Sequence, residues 1–465
     1  MNASPTGATE AIASFIASTS LADLPSGAVE KAKKAITDTF AAILAGAGSE
    51  VAEPLRRYVQ SGGESGASPI LGTRFAASAE TAALVNGTFG HALDYDDVLS
   101  MMPAHPSAVI IAAALADLDG RRVSGTALIE AYALGVEVGG KIGLGMTNAH
   151  YERGFHATGT LALFSALAAL AKLRGFDTAA TRQAFGIAGS MASGLRRNFG
   201  TMTKPLHTGL AARSALTAAR LAGAGFTAAP DILEAKSGFF AAYGTAESDV
   251  ATTVRGLGNP FVVVDPGLAL KKFPCCYACH RGMDGVLALR AQLGFDAGRI
   301  EKLTCRMPPG GMMVLTYPRP VTGLEGKFSM EYCLAAGALD GEYALSTFTD
   351  AAVRRGEIQA LYERVTAVED PACRGDDPHF AKRSSGSRGL VEVEVKLKDG
   401  RSARTRVAHA PGHPTRELGW EDLRAKFDDC AGYAAIPAAR ARDAFDKLAG
   451  LERLGDVRDL VTLLS

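Results

Sequence analysis

The chain has 465 residues, 47% of them hydrophobic, and its 49 Lys and Arg are balanced by 49 Asp and Glu. A chain of this length buries more than one core, so two domains are expected. Zero net charge offers no global field to gather nucleic acid or an anionic membrane, and a small molecule is the expected partner.

The start, Met1-Asn-Ala-Ser-Pro5, has no basic stretch leading into an apolar run, and seven cysteines lie scattered along the chain. Together these predict reduced thiols in a cytoplasm. The apolar segment Leu161 to Ala171 is interrupted by Ser165 and closed by Lys172. It is too short to span a bilayer and reads as a buried helix.

From about residue 8 to 265 the pattern is helical. Glu30 to Ala45 carries Ile36, Phe40, Ile43 and Leu44 at helical spacing, with Gly46 as the expected stop. Ala77 to Leu93 reads as a helix that runs into the densest cluster of ionisable groups in the chain. His91-Ala-Leu-Asp94-Tyr95-Asp96-Asp97 and His105-Pro-Ser107 place two histidines and three carboxylates within fifteen residues, between apolar flanks. Such groups must be solvated or paired, which marks a site rather than a core. On a continuous helix His91 and Asp94 share a face, and Asp97 extends it. The acids would then sit at a helix C-terminus, where the macrodipole disfavours them, so cations are expected from elsewhere.

Further helices are expected over Ser107–Leu118, Gly125–Leu144, Thr160–Leu173, Ala179–Ser193 and Ala211–Leu221, rich in small residues that permit close packing. Between them lies Gly154-Phe-His156-Ala-Thr158-Gly159, where Thr158 can cap the following helix and its amides could meet an anion. His156 could equally satisfy a loop carbonyl. Arg196, Arg197 and Lys204 cluster in a Gly-bearing loop before a helix, suited to gripping a carboxylate or phosphate. A solvated loop is the plain alternative.

Cys275-Cys276-Tyr-Ala-Cys279-His280 contains the Cys-x-x-Cys-His pattern of covalent haem attachment, which belongs with export. A zinc site lacks its usual second pair of cysteines, and thiols are more often buried small hydrophobes. Asp94-Tyr-Asp96-Asp97 lacks the last carboxylate of the aspartate-rich magnesium helix of terpenoid synthases. None of these three patterns makes a complete haem, zinc or magnesium site.

After Pro266 the character changes. Lys302–Met307 reads as a strand, and Leu390–Leu397 alternates, turns at Lys398-Asp-Gly400 and returns through Ala403–Ala408 as a hairpin. Asp370–Gly389 is expected to be an exposed loop, and helices resume after Pro414. The fold class is therefore α+β: a large helical domain (1–267), an inserted smaller α/β lid (268–410), and C-terminal helices (411–465) that rejoin the first domain.

The ordered motifs HALDYDD with AHPS, RGFHATGT, TKPLHTG, KKFPCCYACH and GKFSMEY, spread over residues 10 to 460, resemble the MmgE/PrpD family. That family includes 2-methylcitrate dehydratase, cis-aconitate decarboxylase and iminodisuccinate epimerase. The resemblance implies a cofactor-free homodimer with an inserted lid and a polycarboxylate substrate. It also implies an active site between the domains that draws on Asp94, His105, His156, Lys204 and His280. Tyr95, Arg153, Arg196, Arg197 and Lys272 are the expected substrate contacts.

Where the decarboxylases have a threonine four residues after the matching aspartate, this chain has Val98. Its spacing to His105 is one residue longer, and Cys276 stands where decarboxylases place a histidine. The resemblance therefore favours a dehydratase of the 2-methylcitrate type. An iminodisuccinate-type epimerase, a decarboxylase and a non-catalytic polycarboxylate-binding protein are the alternatives. In the dehydratase reading Lys204, helped by Arg196 or Arg197, stabilises charge on a carboxylate, while His156 or His280 takes a proton. His105, held by Asp94 with a raised pKa, is the expected acid on the opposite face.

Overall fold

The computed structural model describes residues 7–62, 66–118, 120–377, 380 and 383–465. The Met1–Pro5 start and positions 378, 379, 381 and 382 of the 370–389 segment lie outside the described residues. The fold is α+β and mostly helical, as expected.

The first helices are α1 (Ala8–Ser18), α2 (Ala28–Ala47) and α3 (Ala52–Ser61). A two-residue ladder of β1 (Ser68–Pro69) and β2 (Ala76–Ala77) precedes α4 (Ala79–Ala92), and α5 (Pro106–Ala116), α6 (Gly125–Glu152), α7 (Ala157–Thr160), α8 (Ala162–Leu173), α9 (Thr178–Gly189), α10 (Thr203–Gly223) and α11 (Phe239–Tyr243) follow. α4 is central and packs on α2, α5 and α10.

Small residues make this possible. A Cβ on Gly87 of α4 would lie 2.8 Å from the Cα of Gly209 in α10, and one on Gly209 would lie 2.1 Å from the Leu84 carbonyl oxygen. Gly46, expected as a helix stop, instead lies within α2, where a Cβ would meet the Phe89 carbonyl oxygen at 2.0 Å. The backbone contact, not the chain break, explains that glycine. The α4–α10 contact brings the start of α10 beside the end of α4.

Beyond Pro266 come α12 (Tyr277–Leu293) and β3 (Ile300–Met307), then α13 (Gly323–Gly326), α14 (Met330–Asp340), α15 (Asp350–Val353) and α16 (Gly356–Leu361). The strands β4 (Val365–Glu369), β5 (Val391–Leu397) and β6 (Ser402–Val407) complete a sheet of order β4-β3-β5-β6. β5 and β6 form the expected antiparallel hairpin, and Val391, Val393, Val395 and Leu397 are all buried. α12 covers β5 and β6, and α14 packs on α12 and β4. β4 escapes a pattern reading because it is short and only Val365 is buried; it adds in parallel to β3 at the sheet edge.

The 370–389 segment corrects an expectation. Ser384, Ser385 and Arg388 are buried rather than exposed. The buried guanidinium of Arg281 on α12 donates to the carbonyls of Arg388 (3.0 Å) and Gly389 (2.8 Å), which turns polar sequence inward. Last, α17 (Trp420–Tyr433) and α18 (Ala438–Ala449) pack on α2, and α19 (Arg458–Leu464) packs on α18. Among the described residues no helix is long and apolar enough to cross a membrane.

Candidate active site

α4 ends at Ala92, two residues before Asp94, and Asp94 takes a left-handed backbone with φ of 52°. Aspartate tolerates this conformation better than most residues. The expected continuous helical face through His91, Asp94 and Asp97 is therefore not formed. The turn separates the carboxylates and gives each its own partner.

Asp94 receives the cations that the sequence demands. Its Oδ1 lies 2.5 Å from Lys271 Nζ and 3.0 Å from Lys204 Nζ. Lys271 also donates to the Asp94 carbonyl at 2.9 Å. Two backbone hydrogen bonds between Val98 and Ala269, each 2.9 Å, bring the Lys271 segment alongside. Burial opposes ionisation of Asp94, but the two ammonium groups outweigh it and hold its pKa well below the usual carboxylate range.

Lys204, in the first turn of α10, also donates to His91 Nε2 at 2.8 Å, and His91 Nδ1–H donates to Asp96 at 2.8 Å. Its ammonium lies 5.0 Å from the ring centres of Phe199 and Phe328. Of its three N–H groups one donates to His91, the ammonium faces Asp94 as an ion pair, and at least one N–H is left for a ligand. Burial lowers the Lys204 pKa against the pull of Asp94, whereas in Lys271 the pull of Asp94 and Asp96 outweighs burial and raises it.

The histidines are neutral reservoirs of lone pairs. Burial, reinforced by Lys204, drives the pKa values of His91 and His156 well below 6.5. Burial and the neighbouring His91 do the same to His105. His105 corrects the expected pairing with Asp94. Its Nε2 is 4.0 Å from Asp94 Oδ1, too long for a hydrogen bond, while its Nδ1 donates to the Asp97 carbonyl at 2.6 Å. A backbone acceptor fixes the ring, and its pKa falls rather than rises. Thr158 does not cap a helix; its hydroxyl accepts from the His105 amide at 3.2 Å.

His156 Nδ1 lies 3.0 Å from His207 Nδ1, and its buried Nε2 has no protein partner. His207, which sequence reasoning passed over, stands one turn beyond Lys204 on α10, so its helical spacing was the available signal. Burial lowers its pKa to about 4.

A cleft opens over these groups. Asp94, Val98, His105, His156 and Lys204 form one side, and Cys276, Tyr277, Phe328 and the Ser384–Gly386 turn come from the segments beyond Pro266. Other expected contacts fall elsewhere. Arg196 stacks 4.4 Å over Tyr151, and with Arg197 it lines an adjoining hollow that shares Phe199 and Val314 with the cleft. Arg153 is exposed and donates to the Gly244 carbonyl. Tyr95 turns away from the cleft and donates to the Lys272 carbonyl at 3.1 Å, beneath the Lys426 ammonium. Lys272 points outward toward Asp422 at 3.5 Å; its neighbour Lys271, not foreseen, is the lysine that enters the site. His280 is fully buried behind the cleft wall, its Nε2 3.3 Å from the Cys275 carbonyl.

A family model described as the MmgE/PrpD N-terminal domain matches residues 10–250, and the MmgE/PrpD C-terminal domain matches residues 273–449. The chain belongs to the MmgE/PrpD family. Among its relatives, the cis-aconitate decarboxylase of Mus musculus is 28% identical over 98% of this chain and 92% of its own length. That of Homo sapiens is 28% identical over 90% and 86%, and that of Aspergillus terreus 25% over 99% and 96%. These relatives support a lyase-type enzyme. In this MmgE/PrpD chain the cleft joins residues from both matched regions, so neither region alone completes it.

Proposed function

We propose that this protein is a cofactor-independent lyase that removes a proton beside a carboxylate of a hydroxy-polycarboxylate and expels water, in the manner of a 2-methylcitrate dehydratase. The observation that carries the reading is the pairing, in one cleft, of a neutral imidazole whose Nε2 is free with an ammonium that keeps one N–H free.

His156 Nδ1–H donates to His207, which leaves the Nε2 lone pair as the base. It takes the proton from carbon, and charge moves onto the adjacent substrate carboxylate. Preorganised cations lower the cost of that charge, and Lys204 is placed to supply one. Lys271 compensates Asp94, so that carboxylate does not repel the substrate. Departing hydroxide takes a proton from Lys204 and leaves as water. Proton return from His156 through solvent restores both groups. Because His156 is neutral down to well below pH 6.5, the acid limb of the rate profile lies below that value.

Decarboxylation of a cis-aconitate-like substrate is the second reading, favoured by the names of the relatives. Against it, two of the three departures from the decarboxylase pattern, Val98 and Cys276, line the cleft and would alter contacts with the substrate itself.

Proton NMR in deuterium oxide with 2-methylcitrate, citrate, cis-aconitate and iminodisuccinate in separate tubes tests the proposal. Water loss from a hydroxy acid, absent in His156→Ala, is expected. Carbon dioxide release from cis-aconitate as the sole reaction would replace the dehydratase reading with the decarboxylase one. Inversion without water loss would make the protein an epimerase.

A further inference from the structure

Behind the cleft wall lies a second cluster of reactive groups that the proposed reaction does not use. Cys275 precedes α12, Cys279 lies within it, and Cys333 reaches across from α14. All three thiols are fully buried, and their sulfurs lie within 4.8 Å of one another. A fourth soft donor adjoins them: the Met283 thioether, one turn beyond Cys279 on α12, sits 3.3 Å from Cys275 Sγ. All seven cysteines are free thiols, so no disulfide consumes this set.

Ordinary core packing explains one or two buried thiols, but it does not require three thiols and a thioether from two helices to converge on one point. With metal–sulfur bonds of about 2.3 Å, three sulfurs in a trigonal plane stand about 4 Å apart, close to the spacing already present. We propose that Cys275, Cys279 and Cys333, with Met283 as a weak axial donor, form a closed site for a soft monovalent metal ion, Cu(I) being the chemistry that fits.

The donor set decides the ion. Thiolate and thioether ligands select Cu(I), which is content with three sulfurs, whereas structural zinc completes a tetrahedron of thiolates and imidazoles. His280 adjoins Cys275 but does not lie within 4.8 Å of all three sulfurs, so it does not close a tetrahedron with them. On binding, each ligating thiol releases its proton to solvent, the copper stays Cu(I), and no electron is transferred. The Lys327 ammonium, donating to the Pro274 carbonyl at 2.7 Å, lies beside the cluster and offsets the anionic charge of a copper trithiolate. A bound ion would brace the residue before Cys276, and so would stiffen the lid side of the cleft.

The test is anaerobic titration of the reduced full-length protein with Cu(I) in competition with bathocuproine disulfonate, followed by ultraviolet thiolate-to-copper charge transfer. One equivalent is expected to resist the competitor. Cys333→Ala should lower the affinity at least tenfold and Cys430→Ala, a buried thiol outside the cluster, should leave it unchanged. Circular dichroism checks that both variants are folded; if Cys333→Ala is not, Met283→Leu serves instead and should shift the charge-transfer band without abolishing binding. No binding by the folded wild-type protein, equal losses in Cys333→Ala and Cys430→Ala, or tighter retention of Zn(II) than of Cu(I) would each overturn the proposal.

Discussion

Two lysine–carboxylate pairs in this protein have nearly the same length and opposite surroundings. Lys271 and Asp94 meet at 2.5 Å with both side chains buried; Lys396 and Glu301 meet at 2.7 Å across neighbouring strands of the four-stranded sheet, each about half exposed. Water screens the sheet pair and competes for its partners, so it contributes little. The buried pair has given up hydration, so removing Lys271 leaves the buried Asp94 carboxylate with Lys204 as its remaining ammonium partner and less compensation than it needs. Proximity therefore says nothing about importance until burial is known.

The largest effects are expected where the buried cluster meets the cleft. Lys204→Ala and His156→Ala should each lower turnover by about 10²- to 10⁴-fold, read as NMR rates on whichever substrate reacts. A variant retaining full turnover removes its residue from the mechanism and weakens the contrast between the two regions.

Next comes stability. Lys271→Met should destabilise the fold by on the order of 3–5 kcal/mol in urea unfolding, because Asp94 loses one of its two cations. Adding Asp94→Asn to that variant should restore much of the loss, and simple additivity of the two changes would show that the pair is not coupled.

The pH dependence is smaller. Burial, despite the short bond from Ser107, raises the pKa of Asp97 from 3.8 to about 8. The folded state therefore holds a proton that the unfolded state releases near pH 4. This contribution is fully present below pH 4 and is lost as pH rises through about 8, with a slope of at most about 1.4 kcal/mol per unit. Melting temperatures between pH 5 and 8 should decline less steeply in Asp97→Asn; an unchanged slope would refute the assignment.

Least affected should be Lys396→Ala, with a change below about 1 kcal/mol that shrinks further in high salt. A larger loss there would erase the distinction between the two pairs.

The helical body was legible because its apolar residues recur at helical spacing, and the β5–β6 hairpin because its valines alternate around a Lys-Asp-Gly turn. The demand for cations near Asp94 was legible from charge alone. Which lysine answers it was not: Lys271 and Lys272 are adjacent, and only the pairing of Val98 with Ala269 turns the first inward and the second toward Asp422. Nothing in Leu93-Asp94-Tyr95 is a strong helix stop, and the left-handed turn at Asp94 is held by lysines remote in sequence, so the pattern alone runs the helix too far. Composition alone makes the polar 384–388 turn an exposed one, since it cannot reveal that Arg281 draws it in.

By itself, the sequence determined the α+β class, the ordered motifs of the MmgE/PrpD family, and a cluster of histidines and acids too dense to be a core. Periodicity and local charge are properties of the chain, so they survive without coordinates. Only the tertiary structure decided which carboxylate each cation neutralises, which imidazole nitrogen stays free, and that His280 and Lys272 stand outside the cleft. Those outcomes depend on glycine-mediated helix contacts and on burial, and both arise between segments that lie far apart along the chain.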